Sequence, residues 1–125
     1  MKVSVVTTLF NYKDYVGDAV NSFLKQDFTN SEMIIVDDAS TDNSYSIIKP
    51  HISDRVRYIR LDTNMGYSHA KNVGIKAAQS DILVMLDADD MLTPNSLSTR
   101  YHKIMKGFDF VHGPVFNWKN GQKSI

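Results

Sequence analysis

Short apolar stretches alternate along the chain with segments of helical spacing, and polar, glycine-bearing or acidic residues separate them. Residues 3–9 (Val-Ser-Val-Val-Thr-Thr-Leu) are β-branched and too short for a helix, which predicts a buried strand. Tyr15/Val16, Ala19/Val20 and Phe23/Leu24 then recur at helical period, with Asp14 as the expected cap and an end before Asp27-Phe28-Thr29-Asn30. Met33-Ile34-Ile35-Val36 has the almost wholly apolar character of a strand inside a parallel sheet, and it stops at Asp37-Asp38. Ser40, Thr41 and Asp42 are cap candidates for a short helix around Ile47-Ile48 that Pro50 should end. The alternation Val56, Tyr58 and then Ile59, Leu61 predicts a third strand.

Beyond the turn signal Asn64-Met65-Gly66, residues 68–79 carry a face of small residues: Ala70, Val73, Gly74, Ala77 and Ala78. Such a helix should pack close to a sheet. Ile82-Leu83-Val84-Met85-Leu86 is the strongest buried-strand signal, and it runs into Asp87-Ala88-Asp89-Asp90. Thr93-Pro94 reads as a helix start with proline at the first helical position, the helix reaching about Lys106. Residues 108–116 read as a last strand, followed by a hairpin-turn signal at Lys119-Asn120-Gly121-Gln122. This order predicts an α/β fold: an open, mostly parallel, twisted sheet with helices on both faces. Ligands of such sheets bind outside the carboxyl ends of the strands, where both acidic clusters fall.

Composition narrows the field. A chain of 125 residues, 42% hydrophobic, suits one domain over residues 1–125. Fourteen Lys plus Arg balance fourteen Asp plus Glu, so no global field exists to hold nucleic acid or anionic lipid. The absence of cysteine excludes disulfides, a thiolate zinc site and a cysteine nucleophile. No apolar run approaches the roughly 20 residues that span a bilayer. These features together lead to the expectation of a soluble, cytoplasmic protein.

The candidate chemistry lies at the strand ends. Asp87 and Asp89, two residues apart, would point to one side of an extended chain and offer two hard oxygen donors suited to Mg²⁺ or Mn²⁺. Asp90 would point the other way. Taken alone, such acids are equally well explained as solvated residues capping the next helix. Asp38, in the Asp37-Asp38 pair, could accept hydrogen bonds from a ribose hydroxyl or a base N–H, or simply start a turn. Crowded carboxylates at one sheet edge favour a cation or a donor-rich ligand. Lys71, one turn into its helix, could meet a diphosphate, and Thr8 and Phe10 could hold and stack a base; a solvated lysine and a core phenylalanine are the plain alternatives. The four histidines show no metal-ligand spacing with one another. No glycine fingerprint follows the first strand, no P-loop is present, and Leu92 stands where an EF-hand loop needs glycine. Leu86-Asp87-Ala88-Asp89-Asp90-Met91 comes close to the motif of haloacid-dehalogenase-type phosphatases, but Met91 breaks it.

Four motifs in order resemble a known family. Val3 to Asn11, Ile34-Ile-Val-Asp-Asp-Ala-Ser-Thr-Asp42, Asn64-Met-Gly66 with Ala70-Lys-Asn-Val-Gly74, and Leu86-Asp-Ala-Asp-Asp90 with Pro94 are similar to those of family 2 glycosyltransferases of the GT-A fold. The resemblance implies a Rossmann-like nucleotide-sugar-binding half and a donor that is commonly UDP-linked. It places the base near Thr8, Phe10 and Asp38, and counts Asn11 and Lys71 among the nucleotide-binding residues. Asp87 would handle ribose and Asp89 the divalent metal, Mn²⁺ or Mg²⁺. It further implies inverting transfer to a saccharide, lipid-linked or protein acceptor. Phe10 replaces a frequent tyrosine, and Lys71 stands where arginine is usual, keeping the charge but not the bidentate fork. Members of the family have a second half that binds the acceptor and supplies the general base, so these 125 residues are expected to bind donor without transferring sugar. A non-catalytic nucleotide-sugar-binding module is the alternative, and a phosphatase the more distant one. Self-association through an open edge near residues 115–125, and peripheral membrane association of the full-length protein, are further expectations.

Overall fold

A computed structural model describes residues 1–119 and 122–124, with side chains as far as Phe116. The runs of β-branched residues form parallel strands: β1 (Val3–Leu9), β2 (Ser31–Asp37), β3 (Val56–Arg60) and β4 (Leu83–Met85), in the order β3-β2-β1-β4. Registers of Val3 with Ser31, Met33 with Val56 and Ser4 with Leu83 align the carboxyl ends along one sheet edge. A separate antiparallel pair joins β5 (Asn117–Lys119) to β6 (Gln122–Ser124). The expected turn residues Asn120 and Gly121 lie outside the described residues.

Strand periodicity sends alternate side chains to opposite faces. Val3, Val5, Leu9, Met33 and Ile35 meet α1 (Val16–Leu24) through Val16, Ala19, Val20 and Phe23, with Ile48 of α2 (Tyr45–Ile48) and Leu97 of α4 (Ser96–Met105) completing that core. Ile34 and Val36 meet Ala70 of α3 (Tyr67–Ala77) on the other face. Helices therefore cover both faces, as the alternation predicts. A β-carbon on Gly74 would lie 2.4 Å from Val6 Cγ1, so this glycine lets α3 approach the sheet. Among the described residues no helix is long and apolar enough to cross a membrane.

At the amino end of the sheet, Glu32 is fully buried. Its Oε1 accepts from Ser4 Oγ and from the Gln79 N–H, each at 2.7 Å, and its Oε2 pairs with Arg57 at 3.0 Å. Arg57 also donates to the carbonyl of Ala77 at 2.8 Å, fastening the end of α3. Burial alone would push the Glu32 carboxyl up, but the Gln79, Ser4 and Arg57 donors together hold it below its ordinary value.

Several boundaries differ from the sequence expectation. Asp14 caps nothing, because α1 grows from a turn in which the N–H of Val16 donates to the carbonyl of Tyr12 at 2.9 Å. Pro50 sits inside a 3₁₀ turn, Lys49–His51, that prolongs α2. Pro94 is not the first helical residue: Asn95, at φ 62°, precedes α4. The strand expected over residues 108–116 does not form; Gly107 at φ 97° redirects the chain, and Phe110 and Val115 stand 79% and 81% exposed. The strongest strand signal yields only three half-exposed residues, since among the described residues β4 pairs with β1 alone.

Candidate functional site

The loops after β1, β2, β3 and β4 converge at the carboxyl edge. A cleft of about 210 Å³ there is lined by Thr8, Phe10, Asp38, Gly66, Tyr67 and Ala70, with Leu9 and Asn64. Three of the residues expected to hold a nucleotide, Thr8, Phe10 and Asp38, thus meet in one place. Asp38 is 4% exposed, and its two carboxylate oxygens accept the N–H groups of Met65 and Gly66 at 2.7 and 2.8 Å. The carboxylate fastens the end of β2 to the turn before α3, and each oxygen keeps a further lone-pair site. Gly66, at φ 91°, supplies the left-handed backbone of that turn.

Asn11 does not line the cleft. Its backbone N–H donates to Ser40 Oγ at 3.0 Å, and its Oδ1 accepts the Thr41 N–H at 2.8 Å, joining the β1–α1 and β2–α2 loops. Asn11 and Ala39 are both left-handed, at φ 58° and 63°. Asparagine tolerates this region whereas alanine pays about 1–2 kcal/mol for it. Ala39→Gly should therefore stabilise the fold by about 0.5–1 kcal/mol after the extra chain entropy of glycine is set against the relieved strain. Chemical denaturation reads this as a raised midpoint at constant slope; a lowered midpoint would show that the loop holds no strain at this residue.

The neighbouring Asp37 faces away from solvent and is fully buried. It accepts from Arg60 at 3.1 Å, Tyr58 Oη at 2.5 Å and the Ser40 N–H at 2.8 Å. Burial, and then the Asp37 carboxylate, push the Tyr58 hydroxyl up to about 12. The two acids of Asp37-Asp38 thus divide the work, one bracing β3 and one forming the cleft floor. A larger open hollow of about 520 Å³ beside Tyr45, Tyr58 and Arg60 contains none of the expected site residues.

The acidic segment after β4 departs from its expected geometry. The chain leaves the sheet at Met85 and turns, with the Asp90 N–H donating to the Asp87 carbonyl at 3.0 Å. This turn carries Asp90 back, so that oxygens of Asp87, Asp89 and Asp90 lie within 4.8 Å of one another. Asp90 joins the pair instead of pointing away from it. Partial burial, and then the charges of Asp89 and Asp87, hold the Asp90 carboxyl above its ordinary range. Three hard oxygen donors gathered in this way fit Mg²⁺ or Mn²⁺. Buried Leu86 and Ala88 anchor the segment while the acids stay exposed.

Tyr67, which the sequence reading passed over, links these parts. Its hydroxyl donates to Asp87 Oδ1 at 3.2 Å and accepts from Lys71 Nζ, which also sits 4.2 Å from the centre of its ring. The available signal was its spacing of four residues from Lys71 on one helix, which puts the two on one face.

An α/β sheet with a cleft at its carboxyl edge and an acidic turn beside it describes a nucleotide-site architecture. The chain belongs to glycosyl transferase family 2, whose family model matches residues 4–124. Glycosyltransferase GlyG of Streptococcus pneumoniae is 35% identical over 93% of this chain and 40% of its own length. The GalNAc(5)-diNAcBac-PP-undecaprenol beta-1,3-glucosyltransferase of Campylobacter jejuni is 32% identical over 98% of this chain and 41% of its own. The crystal structure of Staphylococcus aureus TarS in complex with UDP-GlcNAc superposes with a TM-score of 0.80 at 31% identity, covering 85% of this chain and 32% of that one. The chain thus spans well under half the length of these relatives.

Proposed function

We propose that this chain is the donor-binding part of a glycosyltransferase that takes a sugar from a nucleotide diphosphate, most simply UDP, to an acceptor hydroxyl. The observation that carries this reading is the cleft itself. It unites Thr8, Phe10 and Asp38, drawn from two strand ends, next to the acidic turn of a family 2 domain. The TarS complex with UDP-GlcNAc supports a UDP-sugar donor, and the C. jejuni relative supports a lipid-linked saccharide acceptor.

In this reading Phe10 offers a ring face to the base, and the spare lone pairs of Asp38 accept a base N–H or ribose hydroxyl. Lys71 brings positive charge to the diphosphate. Asp87 orients the ribose, while Asp89, with Asp87 and Asp90 close by, would hold Mg²⁺ or Mn²⁺. A bound ion there would offset the negative charge that develops on the departing nucleotide diphosphate. Transfer is proposed to proceed with inversion, by one in-line displacement. That step needs a general base beside the acceptor hydroxyl, which this reading assigns to residues outside this chain, within the length that its relatives add.

The short match to those relatives favours a second possibility, donor binding by this chain without turnover. The phosphatase reading has no support from the family match. Calorimetric titration with UDP, with and without Mn²⁺ and with GDP as comparator, tests the proposal. Metal-dependent UDP binding is expected; silence towards both nucleotides would overturn it. Donor hydrolysis or transfer by the chain would exclude the binding-only alternative.

A further inference from the structure

We infer that Tyr67 is a positioning residue for the diphosphate of the donor, an inference that rests on the nucleotide reading above. The residue stands at the start of α3, with its ring in the wall of the cleft and its hydroxyl between two charged groups of opposite sign. Lys71 Nζ donates to the hydroxyl, and the hydroxyl donates to Asp87 Oδ1. Ammonium, hydroxyl and carboxylate therefore form one directed chain from α3 to the acidic turn.

This chain leaves its ends usable. The lysine ammonium has three donors and spends one, and the Asp87 carboxylate has about four acceptor sites and gives one to Tyr67. What it removes is freedom. A lysine stem is flexible and loses considerable rotamer entropy when a ligand orders it. The Tyr67 hydroxyl, accepting from Nζ, holds Lys71 before any phosphate arrives. Preorganisation of this kind raises affinity by lowering the ordering cost of binding.

Tyr67→Phe deletes the hydroxyl and keeps the ring. The side chain is 52% exposed, so the exchange leaves the core intact, and thermal unfolding should be unchanged. Calorimetry on the full chain in Mn²⁺ is expected to show UDP binding roughly 5–10-fold weaker, the scale of the net contribution of one ordinary hydrogen bond. Binding of UMP, which lacks the second phosphate, should change by less than about 2-fold, so the preference for UDP over UMP falls. A general defect in the cleft would weaken both nucleotides alike. In a Lys71→Met background the penalty of Tyr67→Phe should shrink, because the two side chains act as a unit.

The outcomes separate the two readings. If the unaltered chain binds no UDP, the donor assignment falls and this inference falls with it. If the unaltered chain binds UDP and Tyr67→Phe binds it equally well, more tightly, or with an equal loss for UMP, the inference about Tyr67 alone is overturned.

Discussion

Replacing Glu32 by alanine should remove about 3–5 kcal/mol of folding stability, the range for breaking a buried ion pair from one side. The side chain is fully buried, and its removal leaves Ser4 Oγ and the Gln79 N–H without the acceptor they share. Each unmade buried hydrogen bond costs about 1–3 kcal/mol. Arg57 is less affected, since its side chain is 34% exposed and still donates to the carbonyl of Ala77. A domain of this size has about 5–15 kcal/mol in total, so the substitution should consume a large part of it. A fall in Tm of roughly 10–20 °C is expected in a thermal melt. A loss of only a few degrees would show that water replaces the carboxylate at the end of the sheet.

The same group makes a prediction about acid. Glu32 is held below its ordinary value of 4.5 in the folded chain, so its stabilisation is complete above that value and is lost as pH falls through the lower folded one. Glu32→Gln, which cannot titrate, should flatten the acid limb of the stability curve while lowering the plateau near neutrality. Parallel acid limbs in the two proteins would assign that limb to other carboxylates.

The architecture was legible where local pattern and tertiary environment agree. β1 and β2 occupy the inside of the sheet, so every residue from Ser31 to Asp37 is buried and the apolar run reported its surroundings faithfully. Small residues at Ala70 and Gly74 likewise announced the close approach of α3. The pattern misled where a run of the same composition lies at an edge or has no sheet beside it. Residues 82–86 look more buried than they are because sequence does not say that β4 has one neighbour, and Phe110 is apolar yet 79% exposed.

The site divides in the same way. That Thr8, Phe10 and Asp38 line one cleft follows from their place at strand ends, because parallel registers bring those ends together. Asp90 was misplaced because an extended chain was assumed where a turn intervenes. Tyr67 escaped notice because its importance lies in a contact 20 residues away, to Asp87. Asn11 joins two loops through its backbone N–H and Oδ1, a contact that sequence spacing did not announce.

On the proposed reading of the site, Asp89→Ala should abolish the contribution of Mn²⁺ to UDP binding. Removing groups that merely orient metal ligands costs about 10–100-fold in metal affinity, so losing a ligand itself should exceed roughly 100-fold. The three carboxylates have oxygens within 4.8 Å, and taking one away has two effects. It deletes a hard donor, and it relieves the repulsion that, after partial burial, holds the Asp90 carboxyl above its ordinary range. The second effect stabilises the metal-free protein, which narrows the gap by which the metal-loaded state lies below it and adds to the loss. UDP affinity in Mn²⁺ should therefore fall to the value measured in chelator, while the thermal midpoint without metal stays level or rises. Asp90→Asn should share the rise in midpoint but retain part of the metal response. Unchanged UDP affinity of Asp89→Ala in Mn²⁺ would mean that Asp87 and Asp90 hold the ion without it, or that charge on the diphosphate is met by Lys71 alone; a titration of Lys71→Met under the same conditions decides between these.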